Sequence, residues 1–324
     1  MSFNTTNKTI LVAPLNWGLG HATRCIPIIK ALQENDYIPI IASDGIALEL
    51  LQKEFPYVQT LKLPSYQIEY PKNGKNLKWK LLKNFPQMLK AIWKEEKKIK
   101  KWIKKYEIDG IISDNRLGVF SKNIPSVYLT HQLNVMTGNT TWFSSILHQH
   151  IIKKHNECWI PDLEGTPNLT GKLGHISTPD FKLKYIGPLS RMHKKEILKQ
   201  YDLMIILSGP EPQRGQLEET IVFIKGKVEK EQKKEKIENV TYYNYMNSRQ
   251  LEQTYNESKT VLCRSGYTTI MDLVKLEKKA FFIPTPGQYE QEYLAKKLKE
   301  ESLVPYAKQD HFCIENLKEI ENYK

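Results

Sequence analysis

The chain has 324 residues, of which 40% are hydrophobic and 26% charged. This composition is typical of a soluble globular protein and excludes a fibrous or wholly disordered chain. At roughly 150 residues per domain, the length predicts two domains, each with its own core. No stretch approaches about 18 uninterrupted apolar residues, which excludes a transmembrane helix. The four cysteines are far apart and form no CxxC pair, so we expect neither disulfides nor a zinc site, and a cytoplasmic location.

The net charge of +12 is concentrated in one segment. Residues 72–105 contain thirteen lysines and only two acids, Glu95 and Glu96, which gives this segment a charge of +11. The rest of the chain is therefore nearly neutral, and the segment needs an explanation of its own.

Short apolar runs alternate with helical patterns from the start of the chain. The runs predict strands at residues 9–15, 37–42, 59–63, 110–113, 126–130 and 158–160, and the helical patterns cover 22–33, 46–55 and 142–155. Alternation of this kind is typical of a mainly parallel sheet that helices cover on both faces.

The alternation pauses at Gly187-Pro188 and then begins again. Strands are predicted at 203–207, 240–245, 260–263 and 280–284, helices at 216–225, 251–256, 268–276, 289–299 and 314–323, and an exposed loop at 225–238. We therefore predict an α/β protein with two doubly wound, Rossmann-like domains, residues 1–190 and 191–324, facing a cleft. Ligands of such sheets bind at the carboxyl ends of the strands.

The first strand leads into a glycine-containing loop at residues 15–24. Gly18 and Gly20 allow the backbone to approach a ligand closely, and a helix begins directly after them. His21 lies at the predicted start of that helix, where the positive end of the helix dipole disfavours imidazolium. His21 is thus a candidate general base, and a tight turn with a surface histidine is the alternative.

A second junction follows the first strand of the second domain. Ser208, Gly209 and Arg214 combine small residues, a hydroxyl and a guanidinium at the start of a helix, which suits an anion. A connector stiffened by proline is an equally simple interpretation.

The third junction, residues 263–272, ends a strand in Ser265-Gly266. The next helix would offer the N–H groups of Tyr267 and Thr268 to a diphosphate without a metal ion. Asp272 lies within reach of a ribose, and helix capping is the alternative role for these residues. After the next strand, Gln288, Glu290 and Gln291 open another helix at the same edge, where a carboxylate and an amide suit sugar hydroxyls.

Together these junctions resemble those of GT-B glycosyltransferases of family 28. That family includes the enzyme that adds N-acetylglucosamine to the peptidoglycan lipid precursor, and the plant monogalactosyldiacylglycerol synthases. Residues 264–272 are similar to the family's Arg-x-Gly-x-x-Thr-x-x-Glu stretch, whose acid binds the donor ribose, with Asp272 one methylene shorter. Glu290-Gln291 resembles the acid–Gln pair that holds the donor sugar.

The resemblance extends to the first domain. Gly18, Gly20 and His21 resemble the glycine-rich loop that faces the acceptor and the diphosphate, and residues 131–134 resemble a His-Glu-Gln-Asn loop, which places His131 and Asn134 near the acceptor. Two departures concern the acceptor and the sugar: Arg24 stands where proline is common, and residues 208–211 replace a Gly-Gly-Ser stretch. The resemblance implies a metal-independent transfer with a UDP-sugar as co-substrate and no other cofactor, in which Arg264 stabilises the leaving diphosphate.

The lysine-rich segment also carries three of the chain's six tryptophans. Lysine and tryptophan on an amphipathic helix suit an anionic membrane surface, and Trp93, Trp102, Lys97, Lys98, Lys100 and Lys101 are the predicted contacts. A plain solvated face and a nucleic-acid stripe remain alternatives, although no nucleic-acid partner is expected on an enzyme-like scaffold.

These patterns favour a glycosyltransferase that moves a sugar from a nucleotide diphosphate, UDP above all, to an acceptor hydroxyl. The acceptor is expected to be a lipid or glycan, and the enzyme to lie on the cytoplasmic face of a membrane. A UDP-sugar epimerase of the same architecture and a non-catalytic basic protein that binds lipid or nucleic acid are the two alternatives.

Overall fold

The computed structural model describes residues 7–66, 77–136, 141–206, 233–237, 240–244 and 246–323. The predicted helix at 216–225 and the predicted anion-binding residues Ser208, Gly209 and Arg214 lie outside the described residues. The chain separates into two compact units. The first holds nearly all described residues up to Leu189, and the second begins at Ser190.

Seven parallel strands form the sheet of the first unit, in the order β3-β2-β1-β4-β5-β6-β7. Their bounds are β1 Thr9–Pro14, β2 Ile38–Ser43, β3 Thr60–Lys62, β4 Ile108–Asp114, β5 Ser126–Leu129, β6 Glu157–Ile160 and β7 Leu183–Tyr185. The helices are α1 Leu19–Glu34, α2 Gly45–Glu54, α3 Leu77–Lys105 and α4 Thr141–Ile152. The predicted strands are present within two residues at each end, and the three-residue β7 was not predicted.

The strand order reverses direction between β1 and β4, which makes their carboxyl ends the switch point of the sheet. Pro14 and Asp114, the last residues of these two strands, are register partners. The loop after β1 and the end of β4 are therefore held side by side, and this is where side chains for a ligand are expected.

One side of α3 packs on this sheet and the other carries the lysines. Ala91, Glu95, Ile99 and Trp102 recur at helical spacing and are buried. Trp102 is only 9% exposed and packs in the core with Ile99. Its predicted role as a membrane contact is therefore wrong, because its ring is covered by the protein. Eight lysines after Pro86 are exposed, at positions 90, 94, 97, 98, 100, 101, 104 and 105.

The second unit contains a smaller parallel sheet of β8 Tyr201–Ile206, β11 Ser258–Cys263 and β12 Lys279–Phe282, in the order β12-β11-β8. Its helices are α5 Ser248–Glu257, α6 Tyr267–Leu276 and α7 Tyr289–Glu300. Residues 314–322, predicted as an α-helix, form a 3₁₀-helix.

A separate antiparallel pair differs from the prediction. Strand β9, Lys234–Ile237, pairs with β10, Val240–Tyr243. The expectation of a loop at 225–238 is therefore wrong for residues 234–237, where alternating charges on both faces concealed a strand. Within the described part of the chain, no helix is long and apolar enough to cross a membrane.

Candidate functional site

The glycine-containing loop after β1 is tied to both neighbouring strands. Leu15 N donates to Asp114 O at 2.9 Å. The Asn16 side chain donates to Asp44 and accepts from Ala47 N, each at 3.2 Å, so it fastens the loop to the start of α2. Gly18 has φ +83°, a left-handed conformation that favours glycine, and its missing Cβ leaves open space. The loop thus reaches α1 with its backbone accessible.

His21 lies in the first turn of α1 and contacts the end of β4. Its Nδ1 is 2.8 Å from Asp114 Oδ1. Asp114 is fully buried, whereas the His21 side chain keeps 15% of its surface exposed. An imidazole that is oriented by a buried carboxylate and is itself partly exposed has the arrangement of a general base.

Arg24, one turn further along α1, forms a two-pronged ion pair with the same carboxylate. Its Nε donates to Asp114 Oδ2 at 2.6 Å, and one of its terminal nitrogens donates to Asp114 Oδ1. The other terminal nitrogen donates to His131 Nδ1 at 2.8 Å. His21, Asp114, Arg24 and His131 therefore form one connected cluster at the carboxyl ends of β1, β4 and β5.

The cluster controls the charge on its members. Burial alone would raise the pKa of Asp114, but Arg24 and His21 beside it hold this pKa well below its usual range. For His21, burial lowers the pKa most, Asp114 opposes this effect, and Arg24 lowers the pKa further. At neutral pH Asp114 is thus ionised and His21 is neutral and able to accept a proton.

A second buried cluster supports this site from behind. Arg116, which is fully buried, donates to Asp44 and Glu95 at 2.7 Å each and to Pro64 O at 2.6 Å. Tyr66 donates to the other Glu95 oxygen at 2.5 Å. Glu95 therefore neutralises Arg116 inside the protein, and the lysine face of α3 is more positive than a simple count of charges suggests. Sequence reasoning missed this cluster because its members are far apart in the chain.

The loop after β5 holds the two predicted acceptor residues in different roles. His131 belongs to the buried cluster through Arg24. The side chain of Asn134 donates to Lys172 O at 2.7 Å, and its backbone N donates to Leu173 O. Asn134 thus fastens its loop to the 3₁₀-helix Gly171–Leu173, while Gly18, Gly20 and His21 lie together where α1 begins.

In the second unit, a short connection leads from the end of β11 at Cys263 to the start of α6 at Tyr267, with Gly266 as the N-cap residue. Among the described residues, no side chain caps α6 at Gly266. As in any α-helix, the N–H groups of the first turn, that of Thr268 among them, point out of the helix start, where the positive end of the helix dipole lies. This geometry suits a phosphate group.

The start of α7 is fixed beside the start of α6 by side chains. Ser265 Oγ donates to Gln291 O at 2.8 Å, and Gln291 Oε1 accepts from Thr285 N at 2.8 Å. Gln291 also donates to Gln288 Oε1 at 2.7 Å. Ser265, Gln288 and Gln291, all predicted donor residues, thus hold the two helix starts together, and Glu290 lies in the first turn of α7.

Arg264 has a different role from the predicted one. It is 2% exposed, and its guanidinium donates to Ile283 O at 3.0 Å and to Gln309 Oε1 at 2.7 Å. Burial lowers its pKa to about 10. We therefore correct the prediction that Arg264 contacts the leaving diphosphate: its guanidinium lies inside the unit and joins the ends of β11 and β12.

Asp272 lies on α6 and is 8% exposed. Ser190 Oγ donates to its Oδ1 at 2.5 Å. Burial raises the pKa of Asp272 to about 6, and the hydrogen bond from Ser190 only partly opposes this shift. Asp272 is hence ionised at neutral pH but at a cost, as is typical of a carboxylate placed for a ligand rather than for stability.

Solved structures share this architecture over nearly the whole chain. Acinetobacter baumannii MurG matches with a TM-score of 0.55 and 12% identity, over 97% of this chain and 90% of that one. The calicheamicin glycosyltransferase CalG4 matches with a TM-score of 0.64 and 10% identity, over 98% and 89%. The Streptomyces sp. SF2575 glycosyltransferase SsfS6, complexed with thymidine diphosphate, matches with a TM-score of 0.59 and 12% identity, over 93% and 88%. At such identities the likeness shows the fold, which is GT-B.

Residues 194–320 match the model of the glycosyltransferase family 28 C-terminal domain. This match covers less than half of the chain and lies in the second unit, so it identifies the chain as a glycosyltransferase whose C-terminal domain is similar to that of family 28. No curated protein matches this glycosyltransferase in sequence. The match to the family 28 domain favours a glycosyltransferase over an epimerase and over a non-catalytic binding protein. It lies in the second unit, which contains the starts of α6 and α7.

Proposed function

We propose that this glycosyltransferase moves a sugar from a nucleotide diphosphate donor, UDP above all, to an acceptor hydroxyl, with His21 as general base. The second unit would bind the donor and the first unit the acceptor. The observation that carries the proposal is the contact between His21 and Asp114 at the switch point of the first sheet.

In the proposed reaction, the neutral imidazole of His21 takes the proton of the acceptor hydroxyl. The acceptor oxygen forms a bond to the anomeric carbon of the sugar, and the bond from that carbon to the diphosphate oxygen breaks. Ionised Asp114 stabilises the imidazolium that forms. Proton transfer of this kind contributes about 10²–10⁴-fold to the rate.

The donor would bind where α6 and α7 begin. The uncapped start of α6 at Gly266 and Thr268 supports a diphosphate site, Asp272 supports a contact to the ribose, and Glu290 supports one to the sugar. SsfS6, which shares the fold, is a complex with thymidine diphosphate. We propose that the helix start, and not a metal ion, stabilises the leaving diphosphate.

The lysine face of α3 supports a lipid-linked acceptor at an anionic membrane surface. Its eight exposed lysines flank Trp93, which is 54% exposed, and Lys97 lies over the Trp93 ring at 3.5 Å. Lys98 contributes less, because it donates to Lys62 O at 2.7 Å. The protein would then be cytoplasmic and peripheral on the membrane.

The test is a thermal-shift screen of UDP- and dTDP-sugars, followed by an assay of nucleoside diphosphate release from the best binder. A ligand at 100 times its Kd adds about 2.7 kcal/mol to the free energy of unfolding. We expect a shift with a UDP-sugar and release that EDTA does not reduce. No shift with any nucleotide sugar would contradict the donor proposal, and loss of release in EDTA that Mg²⁺ restores would contradict the metal-independent mechanism.

A further inference from the structure

We propose that Arg24 is a positioning residue that, together with its ion-pair partner Asp114, holds the two histidines beside it in opposite tautomers: Asp114 leaves His21 a proton acceptor at Nε2, and Arg24 leaves His131 a proton donor at Nε2. The inference deepens the proposed function, since it rests on His21 being the base. It starts from Arg24, which the resemblance left unexplained as a departure from the usual proline.

Arg24 is only 1% exposed, and each nitrogen of its guanidinium has a partner within the cluster. A guanidinium is always charged and can only donate hydrogen bonds. Any atom that it contacts therefore has to act as an acceptor if a hydrogen bond is to form. This restriction lets Arg24 fix the state of His131, to which it makes the hydrogen bond that decides the tautomer.

The contacts of His21 decide its tautomer. Its Nδ1 lies 2.8 Å from Asp114 Oδ1 and 2.9 Å from an Arg24 nitrogen. That Arg24 nitrogen already donates to Asp114 Oδ1 by a shorter contact. An ionised carboxylate can only accept, so an unprotonated Nδ1 at this distance would set two lone pairs against each other. Nδ1 hence carries the proton, and Nε2 keeps the lone pair that a base requires.

The contacts of His131 lead to the opposite result. Its Nδ1 faces an Arg24 nitrogen at 2.8 Å, which can only donate, so Nδ1 is the acceptor. In a neutral imidazole the proton is then on Nε2. The side-chain nitrogen of Gln132 lies 3.4 Å from His131 Nε2, so a proton on Nε2 requires the Gln132 amide to be turned over so that its oxygen faces the ring. A neutral His131 in this tautomer has no lone pair at Nε2 with which to act as a base.

Arg24 also affects the proton affinity of His21. The charged and titratable groups that act on His21 are Asp114 from β4, Arg24 from α1 and His131 from the loop after β5. Asp114 raises the pKa of His21, whereas Arg24 and His131 lower it. Removing Arg24 should therefore raise the pKa of His21 as well as release the tautomer of His131.

The experiment is imidazole ¹⁵N NMR of the full chain at pH 8, with signals assigned from His21→Asn and His131→Asn. We expect a protonated Nδ1 on His21 and a protonated Nε2 on His131. In Arg24→Gln the His131 signals should become those of a tautomer mixture, and the pKa of His21 should rise by about one unit or more, since a whole charge is removed. Arg249→Gln, an exposed arginine of the second unit, is the matched control and should change neither.

If His21 and His131 had the same tautomer in the unsubstituted protein, the proposal would be overturned. This measurement does not depend on whether the Arg24→Gln variant folds. An unchanged His131 tautomer in a folded Arg24→Gln would also overturn it. Because the measurement needs no substrate, its outcome is separate from that of the proposed reaction: opposite tautomers together with full turnover in His21→Ala would contradict the base but not the role of Arg24.

Discussion

His21 Nδ1 lies 2.8 Å from Asp114 Oδ1 although the two residues are 93 positions apart in the chain. The contact follows from the topology. β1 and β4 are parallel neighbours whose last residues are register partners, so the residue that ends β4 lies beside the loop that follows β1. The position of Asp114 is therefore a direct consequence of the strand order.

The first prediction concerns this carboxylate. Asp114→Asn should lower turnover by about 10²-fold or more, because a neutral amide cannot stabilise the imidazolium of His21. Nucleotide affinity should stay within a factor of a few, since the donor is proposed to bind the second unit. Nucleoside diphosphate release and calorimetric titration of the nucleotide measure the two effects.

The matched control is Asp109→Asn, on the same strand. Asp109 is exposed near the other end of β4, where it accepts from Thr9 N at 2.8 Å. Full turnover is expected in this variant. Equal losses in both variants would show that the effect comes from the strand and not from the contact with His21.

The second prediction is the acid limb of the pH–rate profile. A general base acts only when it is unprotonated, so kcat/KM should rise with pH through the pKa of His21. Burial lowers this pKa below the ordinary value of about 6.5, which means that activity has reached its plateau at neutral pH. An acid limb with its midpoint above 7 would contradict a His21 that is neutral at neutral pH.

Much of the fold was predictable because it follows from local patterns. Apolar runs predicted every strand of the two parallel sheets except the three-residue β7, and the glycine loop predicted the position of His21 at the start of a helix. The partners of His21 were harder to find. No sequence pattern pairs Asp114 with His21, although its place directly after a predicted strand was a usable signal, and Arg24 stood out only as a departure from the resemblance.

Other errors have a common physical cause, which is that burial depends on contacts distant in the chain. In the sequence, Glu95 is one of two acids in a basic segment that is expected to be exposed. In the structure it is fully buried and accepts a hydrogen bond from Arg116. Trp102 reads as a surface aromatic and lies in the core. Arg264 reads as a ligand contact and binds backbone carbonyls inside its own unit. No local pattern distinguishes these residues from exposed ones.

The third prediction uses Asp272, whose pKa is raised by burial to about 6 from an ordinary value of about 3.9. The unfolded chain binds fewer protons between these two values, so stability falls as the pH rises through about 6. Asp272→Asn keeps an acceptor for Ser190 and removes the buried charge. It should stabilise the protein at pH 7.5 by roughly 2–3 kcal/mol while weakening UDP binding by about 1–3 kcal/mol.

Thermal denaturation at pH 7.5 and pH 4 measures the predicted gain in stability, and titration with UDP measures the predicted loss of affinity. The stabilisation should nearly vanish at pH 4, where the carboxyl of Asp272 is already neutral. Asp202→Asn, an exposed carboxylate that pairs with Lys259, should change stability by no more than about 0.5 kcal/mol. A lower melting temperature for Asp272→Asn at pH 7.5, or unchanged UDP affinity, would refute the assignment.

The fourth prediction concerns the lysine face of α3. Replacing Lys97, Lys100 and Lys101 with Gln should weaken binding to anionic vesicles by roughly 10²-fold, since each lysine near the surface contributes about 1 kcal/mol. Binding should also fall steeply with salt, because the Debye length shrinks from about 10 Å at 0.1 M to about 3 Å at 1 M. Vesicle sedimentation measures both effects.

The control removes the same charge elsewhere. Lys275, Lys279 and Lys296 are exposed in the second unit, and their joint replacement with Gln should leave vesicle binding nearly unchanged. Equal binding to neutral and anionic vesicles would rule out the electrostatic membrane contact. A preference for duplex DNA as competitor would instead support the nucleic-acid alternative.

The role of His21 as general base is tested by comparing turnover and nucleotide affinity in His21→Ala. We expect nucleoside diphosphate release to fall at least tenfold, in keeping with the 10²–10⁴-fold that general bases contribute, while the Kd for the nucleotide stays within a factor of a few. This split assigns His21 to the chemical step and the donor to the second unit. If folded His21→Ala turned over as fast as the unsubstituted protein, His21 would not be the general base.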